Sequence, residues 1–130
     1  MLRVAIVDDE AALRRALARL LADYEVAAFD CARSFLARVG DGERFDVILT
    51  DLMMPGMSGA ELHQELARIA PEQVARVIVL TGGATTDGAC RFLDAHDGLV
   101  VEKPFERAEV VALVRSFEAW PRLQRVRLAT

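Results

Sequence analysis

Five short apolar, β-branched segments, "LRVAIV", "VAAF", "FDVILT", "ARVIVLT" and "GLVVE", recur along the chain with a helix-patterned stretch between each and the next. Most of them are continuously apolar instead of alternating, which is the pattern of a strand covered on both faces. The arrangement that supplies such cover is a parallel sheet with right-handed crossovers and helices packed on its two faces. At 130 residues the chain is the size of one such unit.

The helical stretches carry apolar residues at i, i+3, i+4 and i+7 spacing. Leu13, Ala16, Leu17, Leu20 and Leu21 form the first stripe, Ala32, Phe35, Leu36 and Val39 the second, and Val110, Leu113, Val114 and Phe117 the last. Gly40 is expected to stop the second helix. The third opens on Ser58 and Glu61 in capping-box spacing, runs through Leu62, Leu66 and Ile69, and stops at Pro71. The fourth, over 85–95, has the weakest stripe and is expected to be the most mobile element. The folded domain is expected to span 1–119, with 120–130 a tail or the start of a linker.

Composition narrows the function classes. An apolar content of 53% argues against disorder, and apolar runs as short as "VAIV" and "VIVL" cannot span a bilayer. With no basic segment leading into an apolar one at the start, the expected location is the cytoplasm. Net charge of −4 without a basic stripe argues against a nucleic-acid surface. Cys31 and Cys90 lack a paired spacing and read as buried free thiols, while His63 and His96 lack ligand spacing and read as solvated side chains.

In an open parallel sheet, ligands bind beyond the carboxyl ends of the strands. Asp8 and Asp9 follow the first strand, Asp51 ends the third, Thr81 the fourth, and Lys103 follows the fifth. Three acids in a row, Asp8, Asp9 and Glu10, exceed what helix capping needs, although capping remains a secondary role for the two aspartates. Converging carboxylates must hold a proton or bind a cation, and a water-accessible all-oxygen site suits magnesium. Among 16 basic residues Lys103 alone is lysine, a compact point charge where arginine is used everywhere else.

The motifs "VDDE", "LTDLMMPGMSG", "VLTGG" and "VEKPF", in this order on the strand ends, resemble the response-regulator receiver domain of two-component signalling over 2–119. The resemblance implies a flavodoxin-like (βα)5 three-layer sandwich, with a parallel five-stranded sheet in the order 2-1-3-4-5. It implies that Asp51 is the phosphoacceptor for a phosphoryl group arriving from a histidine kinase or phosphotransfer domain. It implies that Asp9, Asp51 and the backbone carbonyl of Met53 hold Mg²⁺ directly, with Asp8 acting through water. Lys103 would bind a phosphoryl oxygen, Thr81 would move toward the phosphoryl group, and the Lys103-Pro104 bond would be cis. Pro55, Gly56 and Gly59 read as the turn that leads from Asp51 into the third helix. Family dimers form across the fifth-strand face, so a homodimer is a further expectation.

The chain departs from the family pattern at Val100, where most receivers carry an aromatic residue that swings inward on activation. Met53 and Gly83 offer no side-chain hydrogen bond to a water attacking the phosphoryl group, which implies slow autodephosphorylation. The segment 80–96 and Val100 look more like receivers attached to hybrid sensor kinases than like free-standing chemotaxis regulators. Rival readings are a phosphorylation-independent pseudo-receiver, a haloacid-dehalogenase-type hydrolase and a flavin binder. Intact Asp9, Asp51, Thr81 and Lys103 weigh against the first. The second wants an acid where Met53 stands, and in the third Asp8 and Asp9 would repel a phosphate.

Overall fold

The computed structural model describes residues 1–96 and 98–119. In chain order it contains β1 (Arg3–Val7), α1 (Ala11–Leu20), β2 (Glu25–Phe29), α2 (Ala32–Gly40), β3 (Val47–Asp51) and α3 (Gly59–Ile69). A 3-10 helix (Pro71–Arg76), β4 (Val77–Thr81), α4 (Asp87–Ala95), β5 (Leu99–Glu102) and α5 (Arg107–Arg115) follow. The five strands form one parallel sheet in the order β2-β1-β3-β4-β5, so the expected architecture is borne out.

Strand alternation divides the core between two faces. Ala5, Val7, Ile48, Val77 and Val79 pack with Phe35 of α2, Leu62 and Leu66 of α3 and Ala89 of α4. Val4, Ile6, Leu49, Ile78, Leu80 and Val101 pack with Leu17 of α1 and Val110 and Val114 of α5. Continuous burial holds for β3 and β4, which are buried at every position, and nearly for β1. It fails at the edges, where β2 is only partly buried and β5 largely exposed because each has a neighbour on one side only.

Several local expectations are corrected. Gly40 lies inside α2, and the left-handed residue that turns the chain is Gly42, at φ +103°. The 3-10 helix was not foreseen; it places the buried Gln73 so that its Oε1 accepts the Phe45 N–H at 2.8 Å. Cys31 is half-buried and Cys90 exposed, so neither is a buried thiol. The histidines are not simply solvated. His63 on α3 lies edge-on to Phe92 and to His96, with centroids 5.3 Å apart in each case, and His96 stacks on Phe92. Ser58 and Glu61 do form the capping box of α3.

The start of α3 sits directly on the end of β3. Gly59 N–H donates to Leu52 O at 2.8 Å, and a Cβ on Gly59 would lie 2.4 Å from Asp51 O and 2.8 Å from Leu52 Cα. Those neighbours are backbone and cannot yield cheaply, so Gly59→Ala should cost about 1–3 kcal/mol of stability, read from urea unfolding. An unchanged midpoint would mean that the two backbones are not held this closely.

Burial, and then the His96 imidazole, hold His63 below the ordinary histidine range. The unfolded chain therefore takes up this proton more readily, so the stabilising share of neutral His63 is complete above the unfolded value. It is lost as the pH falls through the folded one. Unfolding midpoints at pH 7 and 5 should differ less in His63→Phe than in the parent chain. An equal drop in both would show that His63 carries no part of the acid sensitivity.

Candidate functional site

Strand register brings the acids level with one another. Val7 pairs with Thr50 and Asp51 with Leu80, so Asp8, just past the end of β1, arrives beside Asp51 at the C-terminal edge of the sheet. Lys103 follows β5 and donates its backbone N–H to Thr81 O at 2.7 Å. The Lys103-Pro104 peptide is cis, as the resemblance implied. Gly82 lies in ordinary contact with the lysine stem, 3.9 Å from Lys103 Cβ and Cδ by the position its own Cβ would take.

One carboxylate oxygen each from Asp8, Asp9 and Asp51 falls within 4.8 Å of the others, with Asp8 and Asp51 buried and Asp9 exposed. The Lys103 ammonium stands 3.4 Å from Asp51 Oδ1 and 3.7 Å from Asp8 Oδ2. These separations are wide for hydrogen bonds, so its contribution is that of a nearby charge. Burial pushes the Asp51 carboxyl up from the usual carboxylate range; Lys103 opposes that shift and Asp8 adds to it. Among the described residues Lys103 is the cation paired with Asp8 and Asp51, and Asp9 has no described ion pair.

The donor set fits a hard divalent ion. Asp8 Oδ1 accepts the Glu10 N–H at 2.8 Å, but Asp8 Oδ2 is buried with no hydrogen-bond partner among the described residues. A buried anionic oxygen left without a donor is costly, and a cation shared with Asp9 and Asp51 would satisfy it. The secondary capping role holds for Asp8, whose Oδ1 takes the N–H of the cap residue Glu10, while Glu10 itself makes no side-chain cap bond.

Thr81 is buried and its Oγ1 accepts the Gly83 N–H at 3.0 Å. On β4 it shares a face with Val77 and Val79, which pack toward α2, α3 and α4, whereas Asp51 shares a face with Val47 and Leu49 on the α1 and α5 side. Thr81 is thus the site residue on α4's side of the sheet. Met53 is half-buried and Val100 lies 38% exposed on the β5 edge. The sequence reading missed Arg14, whose Nη1 donates to Asp8 O at 2.8 Å and ties the first turn of α1 to the acid loop. Its only signal was its place one turn beyond Glu10 on α1.

Residues 4–115 match the response regulator receiver domain family, and the chain belongs to that family. It is 30% identical over 115 residues to the transcriptional regulatory protein FixJ of Bradyrhizobium diazoefficiens, covering 87% of this chain and 55% of that one. It is 32% identical over 113 residues to the response regulator receiver protein CpdR of Brucella abortus, covering 85% of this chain and 92% of that one. A CheY-like receiver domain structure from Methanospirillum hungatei superposes with a TM-score of 0.76 at 26% identity, covering 89% of this chain and 92% of that one. The chain therefore spans about half of FixJ and nearly all of CpdR. Among the described residues no helix is long and apolar enough to cross a membrane.

Because the folded state raises the Asp51 pKa, stability from this group is complete below the unfolded value and lost as the pH rises through the folded one. At neutral pH without divalent ions, Asp51→Asn should therefore melt higher than the parent chain, with the gap closing toward pH 4. A lower melting temperature in the variant at pH 7 would mean that Lys103 outweighs the burial.

Proposed function

We propose that this receiver domain accepts a phosphoryl group on Asp51 from the phosphohistidine of a histidine kinase or phosphotransfer domain. The observation that carries the reading is the Asp51 carboxylate beside the Lys103 ammonium at 3.4 Å, within a cluster shared with Asp8 and Asp9. An Asp51 carboxylate oxygen attacks phosphorus, the P–N bond to the donor imidazole breaks, and the imidazole leaves with the electron pair. Lys103 offsets charge on a phosphoryl oxygen, and Asp8, Asp9, Asp51 and the Met53 carbonyl would hold Mg²⁺. The ion supplies neutralisation of the phosphoryl oxygens when bound.

Thr81 is the group placed to answer the new charge, and its position on α4's side supports a readout through 82–95. Among the residues of α4, Ala89 alone is fully buried, with Phe92 and Leu93 half-buried against the core, so the helix is held less firmly than the central strands. Val100 cannot supply an aromatic gate, so the response runs through the backbone of this segment. Exposed Leu99 and Val100 on β5 support a homodimer across that face. We place the domain at 1–119 and its work in the cytoplasm. The relatives above are named as transcriptional regulator and receiver protein, so the hybrid-kinase context has no support among them.

Intact mass after incubation with acetyl phosphate should show one phosphoryl adduct that requires Mg²⁺ and is absent from Asp51→Asn. No adduct in any condition would favour the pseudo-receiver. With Met53 and Gly83 unable to orient a water through a side chain, the adduct should outlast donor removal by minutes. Its loss within seconds would contradict this. Amide resonances of 82–95 should shift on phosphorylation, and unmoved resonances would sink the proposed readout.

A further inference from the structure

Asp8 and Asp9 sit in the loop 8–10 that joins β1 to α1, beyond the last sheet pairs, Val7 with Phe29 and Val7 with Thr50. A loop carboxylate is only as well placed as the backbone that carries it. Asp8 is fastened at two points by neighbouring backbone: its N–H donates to Phe29 O at 3.1 Å, and its Oδ1 accepts the Glu10 N–H at 2.8 Å. No described backbone N–H reaches the Asp8 carbonyl. Arg14, six residues further along, supplies the third point, its Nη1 donating to that oxygen at 2.8 Å.

The choice of partner identifies the role. Arg14 stands in the opening turns of α1, where the helix dipole disfavours a cation, and three acids precede it in the loop. Among the described residues it forms no ion pair with any of them and gives its Nη1 to a main-chain oxygen instead. A guanidinium is a rigid planar donor, so the bond fixes direction as well as distance. We infer that Arg14 is a positioning residue for the cation site: by holding the Asp8 carbonyl it sets the loop from which Asp8 and Asp9 reach Mg²⁺. The inference rests on the reading of these acids as a Mg²⁺-dependent phosphoacceptor site. Position and charge predict opposite effects. Removing a cation beside a cation site would by charge alone tighten Mg²⁺ binding, whereas releasing the loop weakens it. Groups that orient metal ligands without touching the ion change affinity by about 10- to 100-fold, and Arg14, acting through main chain, belongs at the lower end.

The test is calorimetric titration of the full chain with Mg²⁺, with circular dichroism confirming that each variant is folded. Arg14→Met keeps the apolar stem and removes the donor, so it should weaken binding about tenfold. The Mg²⁺ concentration for half-maximal phosphorylation by acetyl phosphate should rise with it. Arg14→Lys, whose ammonium can donate to the same carbonyl, should recover most of the loss. Arg15→Met removes the same charge from the exposed neighbouring position and should not weaken binding. No Mg²⁺ binding by the parent chain, unchanged or tighter binding in Arg14→Met, or equal weakening in Arg14→Lys or Arg15→Met would each overturn the assignment. A parent chain that binds Mg²⁺ but takes no phosphoryl group would remove the phosphoacceptor reading, while the affinity series would still decide the role of Arg14.

Discussion

The structure turns on the convergence of carboxylates at the C-terminal edge of a parallel sheet. Parallel pairing puts every strand end on the same side, and the register of β1 against β3 sets Asp8 beside Asp51. Their repulsion is tempered by Lys103 alone among side chains with a described ion pair to them. The raised pKa of Asp51 and the unpartnered Asp8 oxygen are two signs of the same unresolved charge. A folded state that keeps such a cluster gives up stability to hold like charges together.

Backbone geometry makes that cluster rigid. Gly59 lets α3 rest against the carbonyl of Asp51, and Leu52 N–H donates to Leu80 O at 3.0 Å, so Asp51 is fixed from both directions. Arg14 holds the Asp8 carbonyl from α1, and the Lys103 backbone is pinned to Thr81. The side of the site that faces α4 is less constrained. Thr81 Oγ1 is held only by the local Gly83 N–H among described hydrogen bonds, and α4 beyond it has one fully buried residue. Firmly held acids thus stand beside a helix whose inner face is only partly buried.

Most of this was legible in the sequence because the signals were periodic or terminal. Continuous apolar runs marked β3 and β4, the capping box marked α3, and the strand-end rule gathered Asp8, Asp9, Asp51, Thr81 and Lys103 before any coordinates. What escaped depends on contacts between segments far apart in the chain. The exposure of β2 and β5 follows from their place at the sheet edges, and the 3-10 helix is stabilised by Gln73 reaching back to Phe45. His63 lies on α3 and His96 just past the end of α4, so no spacing could announce that they meet beside Phe92. Arg14 looked like one more arginine on α1 until its hydrogen bond to Asp8 placed it at the site.

The most direct test of the central claim is Mg²⁺ affinity, measured by calorimetry in the parent chain and in Asp8→Asn, Asp9→Asn and Asp51→Asn. If the three carboxylates share one cation, the parent binds a single ion and each variant weakens binding at least tenfold. Unchanged affinity in Asp51→Asn would contradict the account, because Asp51 would then lie outside the charge cluster on which the rest of the structure depends.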